Sequence, residues 1–155
     1  MLPTFTSDAM IAQTIQLALA PVFVLVAIGS IIATLTQRLG RVVDRSRELQ
    51  LLHGQTSGAE HDMIVREIRS LDLRIALIGN ALLALVLASL AIGLTVVLLF
   101  VEEFAHVGLN PVAATMFIIA IALLMWALVQ FLRETRVATE ALRIPETYLE
   151  RDREL

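Results

Sequence analysis

From Ile75 to Val101 the chain carries no charged side chain, and from Pro111 to Leu132 it carries none again; a third run, Ile15 to Leu35, is equally free of charge. Each run meets the ~20 residues that an α-helix needs to cross a ~30 Å hydrocarbon layer. Lipid offers the backbone no hydrogen-bond partner, so a single apolar segment of this kind is confined to a helix. Three such runs, in a chain of 155 residues that is 57% hydrophobic with a positive mean hydropathy, predict an all-α integral membrane protein with three transmembrane helices. A soluble bundle of buried helices would carry charges along each solvent-facing side.

The order of insertion follows from the arginines, which supply every basic residue other than histidine. Seven of them, Arg38 to Arg74, lie between the first and second runs, and five, Arg133 to Arg153, follow the third. The N-terminal segment and the connection "VEEFAHVGLN" have none, so the positive-inside rule predicts an N-terminus outside and a C-terminus in the cytoplasm. The expected order is an extracytoplasmic segment 1-13, a first span 14-36, a cytoplasmic helical hairpin 37-74, a second span 75-101, an extracytoplasmic loop 102-110, a third span 111-132, and a cytoplasmic helix and tail 133-155. The first span is expected to be retained rather than cleaved, since Met1 to Gln13 lack the basic residues of a signal peptide. Ser7 or Asp8 is the expected cap of the first helix, and Pro21 the expected site of a kink, because it removes the amide that would bond Leu17. The last helix is expected to run to about Arg143 and to break at Pro145.

Nothing stops the first helix where its apolar run ends. Leu35, Leu39, Val42, Ser46 and Leu49 continue at alternating spacings of four and three, and Ile64, Ile68, Leu71, Ile75, Ile78, Leu82 and Leu85 return in the same rhythm. These two seams predict that the first two helices extend into the cytoplasm as an antiparallel, coiled-coil-like hairpin, with Leu39, Val42, Leu49, Ile64, Ile68 and Leu71 as its contact line. In the tip "HGQTSGAEHD", Gly54 is expected to end the outgoing helix in the left-handed conformation, and Ser57 with Glu60 to form a capping box for the returning one. Asp62 with Arg66, and Arg69 with Asp72, are opposite charges at helical spacing. Six acidic residues offset the seven arginines of the arms, which argues against a nucleic-acid stripe.

Catalytic apparatus is absent from the sequence: there is no P-loop, no G-x-S-x-G, no H-E-x-x-H and no cysteine. His53 and His61 flank the hairpin tip, and Glu103 with His106 make an isolated E-x-x-H, but neither supplies a full ligand set. The chain is therefore expected to be non-enzymatic, with no metal and no cofactor. Span one instead carries a small and polar face, Gln16, Ala27, Ser30, Thr34, Gln37 and Arg41, suited to contact with another helix or to lining a pore. Span two carries Ala81, Ala84, Ala88, Ala91 and Thr95 on one face, and Asn80 as a lone amide expected to bond across a helix contact or reach the interface. Three helices cannot bury all such faces on each other, so self-association through at least one is expected.

The segment "IQLALAPVFVLVAIGSIIATLTQRLGRVVDR", Ile15 to Arg45, resembles the signature of a family of small bacterial membrane proteins known as domain of unknown function 2721, and the resemblance extends through "IRSLDLRIALIGNALLALVLASL" and the third span. It implies a bacterial inner-membrane protein and brings no activity, substrate or catalytic residue with it. The expected function is a homo-oligomeric scaffold, regulatory or partner-binding module in the lipid bilayer, with a cytoplasmic protein partner at the hairpin and no nucleic acid. The alternative is a small oligomeric ion channel or transport element lined by the first span.

Overall fold

The computed structural model describes the backbone of residues 4–105 and 108–141, and side-chain surroundings for residues 15–139 apart from 17, 106 and 107. It is all-helical: α1 is Thr4–His53, α2 is Ala59–Ala105 and α3 is Asn110–Ala141. All three are long and apolar enough to cross a membrane. At 50 and 47 residues, α1 and α2 would run ~75 and ~70 Å at ~1.5 Å per residue, so each continues far beyond a ~30 Å layer.

The helix ends differ from expectation at three points. Since α1 begins at Thr4, neither Ser7 nor Asp8 caps it. At the tip, the residue with positive φ is Gly58 (φ 68°) rather than Gly54. The outgoing helix closes instead with a tight turn in which Gln55 N–H and the Thr56 hydroxyl both donate to the Leu52 carbonyl, at 2.9 and 3.3 Å, and this needs no left-handed residue. The returning helix is entered through Gly58, whose carbonyl accepts from Asp62 N–H at 3.2 Å. The cap therefore lies one residue beyond Ser57 and has no side chain, so the capping box does not form. Pro21 sits buried inside a continuous α1, and α3 starts with Pro111 in its first turn, where the missing amide costs nothing. Pro145 and the end at Arg143 lie outside the described residues.

The core has a seven-residue period. In α1, Pro21, Ile28, Leu35, Val42 and Leu49 are buried; in α2, Ile64, Leu71, Ile78, Leu85 and Ile92 are buried. Because the helices are antiparallel and joined by the tip, these form levels from Leu49 with Ile64 down to Pro21 with Ile92. Arg45 bonds Glu67 at 2.8 Å across the same pair and confirms that register. Leu39 and Ile68 are half-buried against this core. A second face of α2, with Ala81, Ala84, Ala88 and Thr95 buried, packs on Ala113, Ala120 and Ala127 of α3. Self-association is thus not needed to cover this face: α3 covers it, since facing alanines let two backbones approach closely. Helix α2 is central, with α1 on one side and α3 on the other.

Among the surface charges, Arg66 bonds the backbone carbonyl of Asp62 at 3.2 Å rather than its carboxylate. Arg69 and Asp72 are exposed and do not pair. The pairing falls to Arg45, which takes both Glu67 and Glu48, and these bonds hold its guanidinium more firmly charged than usual, Glu67 contributing most.

Candidate functional site

In α3 the alanine positions Ala113, Ala120 and Ala127 lead, seven residues later, to Glu134, whose side chain is 0% exposed. A carboxylate so placed must be neutralised where it stands. Two arginines do this from two different helices. Arg38 of α1 donates Nη2 to Oε2 at 2.6 Å, and Arg74 of α2 donates Nε to Oε1 at 3.0 Å, with its Nη2 2.9 Å from the same oxygen. The Arg38 guanidinium also lies 5.3 Å from the centre of the Phe131 ring, one turn before Glu134 on α3. One acid and two bases thus join all three helices at one point.

The level of this joint follows from the sequence pattern. Arg38 is the first charged residue after the first apolar run, Arg74 is the last before the second, and Glu134 stands one residue past the end-marking Arg133 of the third. Arg74 belongs to the same seven-residue series as Ala81, Ala88 and Thr95, so Glu134 meets Arg74 as Ala127 meets Ala81 and Ala120 meets Ala88. Helix α1 packs along α2 and hardly touches α3 elsewhere; Arg38 is its principal hold on that helix. Gln130, also buried, accepts from Arg133 at 3.4 Å one turn below.

The residues expected to form a contact or pore-lining face, Gln16, Ala27, Ser30, Thr34, Gln37 and Arg41, are all exposed on the outside of α1, and Thr34 returns its hydroxyl to its own helix at Ser30. Asn80 is exposed as well and faces away from the helix contacts. At the tip the His53 and His61 rings touch at 4.5 Å, tilted by 53°. Among the described residues no cluster of three or more histidine, aspartate or glutamate side chains is placed to hold a metal ion. His106 lies outside the described residues. At the other end, the α2–α3 turn is fastened by Asn110 donating to Glu102, and Leu109 supplies the first carbonyl of α3 to Val112 and Ala113.

The sequence marks Arg38 and Arg74 as topology signals, with contact to lipid phosphates as the alternative role of juxtamembrane arginines, and does not single out Glu134. The available signal was its spacing of seven from Ala127, which puts a carboxylate on the most buried line of α3.

No curated protein and no solved structure matches this chain. A family model does, over residues 18–144, which takes in α1 from Ala18 onward, all of α2, the alanine-lined pair and the charged joint, and by that match the chain belongs to the family described as protein of unknown function (DUF2721).

Proposed function

We propose that this protein is a non-enzymatic scaffold or partner-binding module of the bacterial inner membrane, assembled from several copies of the chain through the outer face of α1. Its N-terminus lies outside, and α1 and α2 continue into the cytoplasm as a coiled-coil stalk. The observation that carries the reading is that α1 is covered on one side only. Gln16, Ala27, Ser30, Thr34 and Gln37 form an exposed line along a helix that α3 leaves open. In lipid, hydroxyls, amides and small side chains on one line are best satisfied by a second helix. The stalk supports a partner role, because its tip holds Leu51 and Met63 at 73% and 59% exposure, outside the apolar runs.

Cysteines placed singly at Ser30 and at Leu90, both exposed, test the assembly in a chain with no cysteine of its own. Oxidative cross-linking in native membranes is expected to give dimers of the Ser30 variant and not of the Leu90 variant. Equal cross-linking, or none, rejects the α1 interface. The hydroxyl and amide content of the same line favours one alternative, an oligomeric channel or transport element lined by α1. Conductance in planar bilayers that falls with Thr34→Val and changes selectivity with Gln37→Glu would establish that alternative in place of the scaffold.

A further inference from the structure

We infer that the charged joint binds the phosphate of an anionic phospholipid headgroup, with Arg38 and Arg74 as its donors. The inference requires that the helices span a bilayer but is independent of the scaffold reading. It begins with the charge balance: two guanidiniums share one carboxylate, which leaves one positive charge at the joint. Donors are also left over. Glu134 accepts from Nη2 of Arg38 and Nε of Arg74, and the Arg38 Nε is buried without a partner. The Arg38 and Arg74 side chains keep 24% and 19% of their surface open.

The surroundings add to this balance. Arg41 follows Arg38 by one turn, Arg133 adjoins Glu134, and both are exposed, while Asp72 is the exposed carboxylate at this level. Further up the stalk Asp44 is a second exposed carboxylate, offset in charge by the exposed Arg69 and Arg136, while Glu48 and Glu67 are already bonded to Arg45. The joint therefore presents net positive charge and unspent N–H groups at the level where three apolar runs end together, which is the depth of lipid phosphates. A phosphodiester offers two acceptor oxygens and one negative charge to such a pair. A zwitterionic lipid brings a cation along with its phosphate, and the excess charge disfavours it.

Trp126, the single tryptophan of the chain, is 52% exposed on α3 and lies about 12 Å along the helix from Glu134. It is a built-in reporter for lipid at this end. Full-length protein in phosphatidylcholine vesicles is titrated with brominated phosphatidylglycerol, and separately with brominated phosphatidylcholine, while tryptophan quenching is read. Phosphatidylglycerol is expected to be preferred about fivefold, the effect of one arginine near an anionic surface, and the preference should weaken with salt. Arg38→Gln removes the excess charge while leaving the Arg74–Glu134 pair, and should bring the preference close to one; Arg47→Gln, on the stalk, should leave it unchanged. Equal quenching by the two lipids in the unaltered protein overturns the proposal without recourse to any variant. So does a preference that Arg38→Gln leaves intact, or that Arg47→Gln lowers equally. Abolition of the preference by millimolar inorganic phosphate at matched ionic strength would assign the joint to a soluble phosphate and overturn the lipid assignment.

Discussion

Glu134→Gln keeps the shape of the joint and removes its only negative charge. Three guanidinium N···O contacts of 2.6 to 3.0 Å converge on that carboxylate, and none keeps its ionic partner in the variant. Breaking a buried ion pair by removing one member costs about 3–5 kcal/mol. Both arginines are partly open, so they can swing toward water or lipid phosphate and recover part of this. The expected net loss is about 2–3 kcal/mol, which shifts the closed-to-open ratio of α1 against α3 by roughly 30- to 150-fold. Because α1 holds α3 mainly through Arg38, the loss falls on one geometric coordinate. Spin labels on cysteines at Thr36 and Leu132, both exposed near the joint, read that coordinate, and a pair at Gln50 and Met63 reads the hairpin as a control. The first distance distribution should broaden and lengthen in the variant while the second stays as it was. If the Thr36–Leu132 distribution and the thermal unfolding midpoint both match the unaltered protein, the joint does not hold α1 in place.

Leu71→Asp puts a carboxylate on the buried line opposite Val42 and should cost at least ~3 kcal/mol, seen as faster proteolysis of the stalk with membrane insertion intact; an unchanged digestion rate refutes the packed hairpin. Gly58→Ala should destabilise by ~1 kcal/mol because its φ is +68°, whereas Gly54→Ala, with open space around it and ordinary φ, should be neutral or slightly stabilising; equal midpoints for the two in thermal melts would contradict the assigned turn. Single cysteines at Ser57 and Gly108 should divide on labelling intact cells with an impermeant thiol reagent, only the Gly108 site reacting, and the opposite pattern would invert the orientation.

Much of the architecture was legible because the relevant signals are local. An uncharged run must be a helix in lipid, and the alternation of four and three from Leu35 to Leu49 and from Ile64 to Leu85 marks side chains that are buried or half-buried. What escaped notice depended on comparing elements. Two glycines flank the tip, and spacing does not say which adopts positive φ; that depends on whether the outgoing turn closes on Leu52, as it does. Two spans carry small-residue faces, and the one on α2 is used internally because α3 offers alanines to meet it, while the more polar line on α1 has no counterpart in the chain. Glu134 was hidden by its position just past an apolar run, where a charge ordinarily signals only the return to water. Its meaning lies in the continuation of an alanine series into a carboxylate.

That continuation also bears on how the helices choose their alignment. The α2–α3 contact is lined by Ala81, Ala88 and Thr95 against Ala127, Ala120 and Ala113, and a slide of α3 by one heptad toward the tip would again set two alanines, Ala120 and Ala113, against alanines, Ala81 and Ala88. The alanines therefore hold the helices close but distinguish poorly among registers. Their charged ends do distinguish them. A slide that brings Glu134 seven residues up the stalk would place it against Glu67, a like charge; a slide the other way would place it against Ala81, with the carboxylate unpaired inside the apolar layer. Only the observed alignment gives Glu134 cations not already taken, since Arg45, seven residues beyond Arg38, holds Glu67 and Glu48. The short α2–α3 connection opposes slippage too, but two slightly unwound helix ends would relieve it, and the like charge or the unpaired acid would remain. A buried polar group that fixes register at some expense in stability has its best-attested precedent in coiled coils. The combined variant Arg38→Leu, Arg74→Leu and Glu134→Leu separates the two effects: its thermal midpoint is expected to equal or exceed that of the unaltered chain, while disulfide trapping between α2 and α3 should capture cysteine pairs offset by seven residues as well as the native ones. Trapping confined to the native pairs would show that the alanine contact and the connection suffice, and that the charges serve something other than alignment.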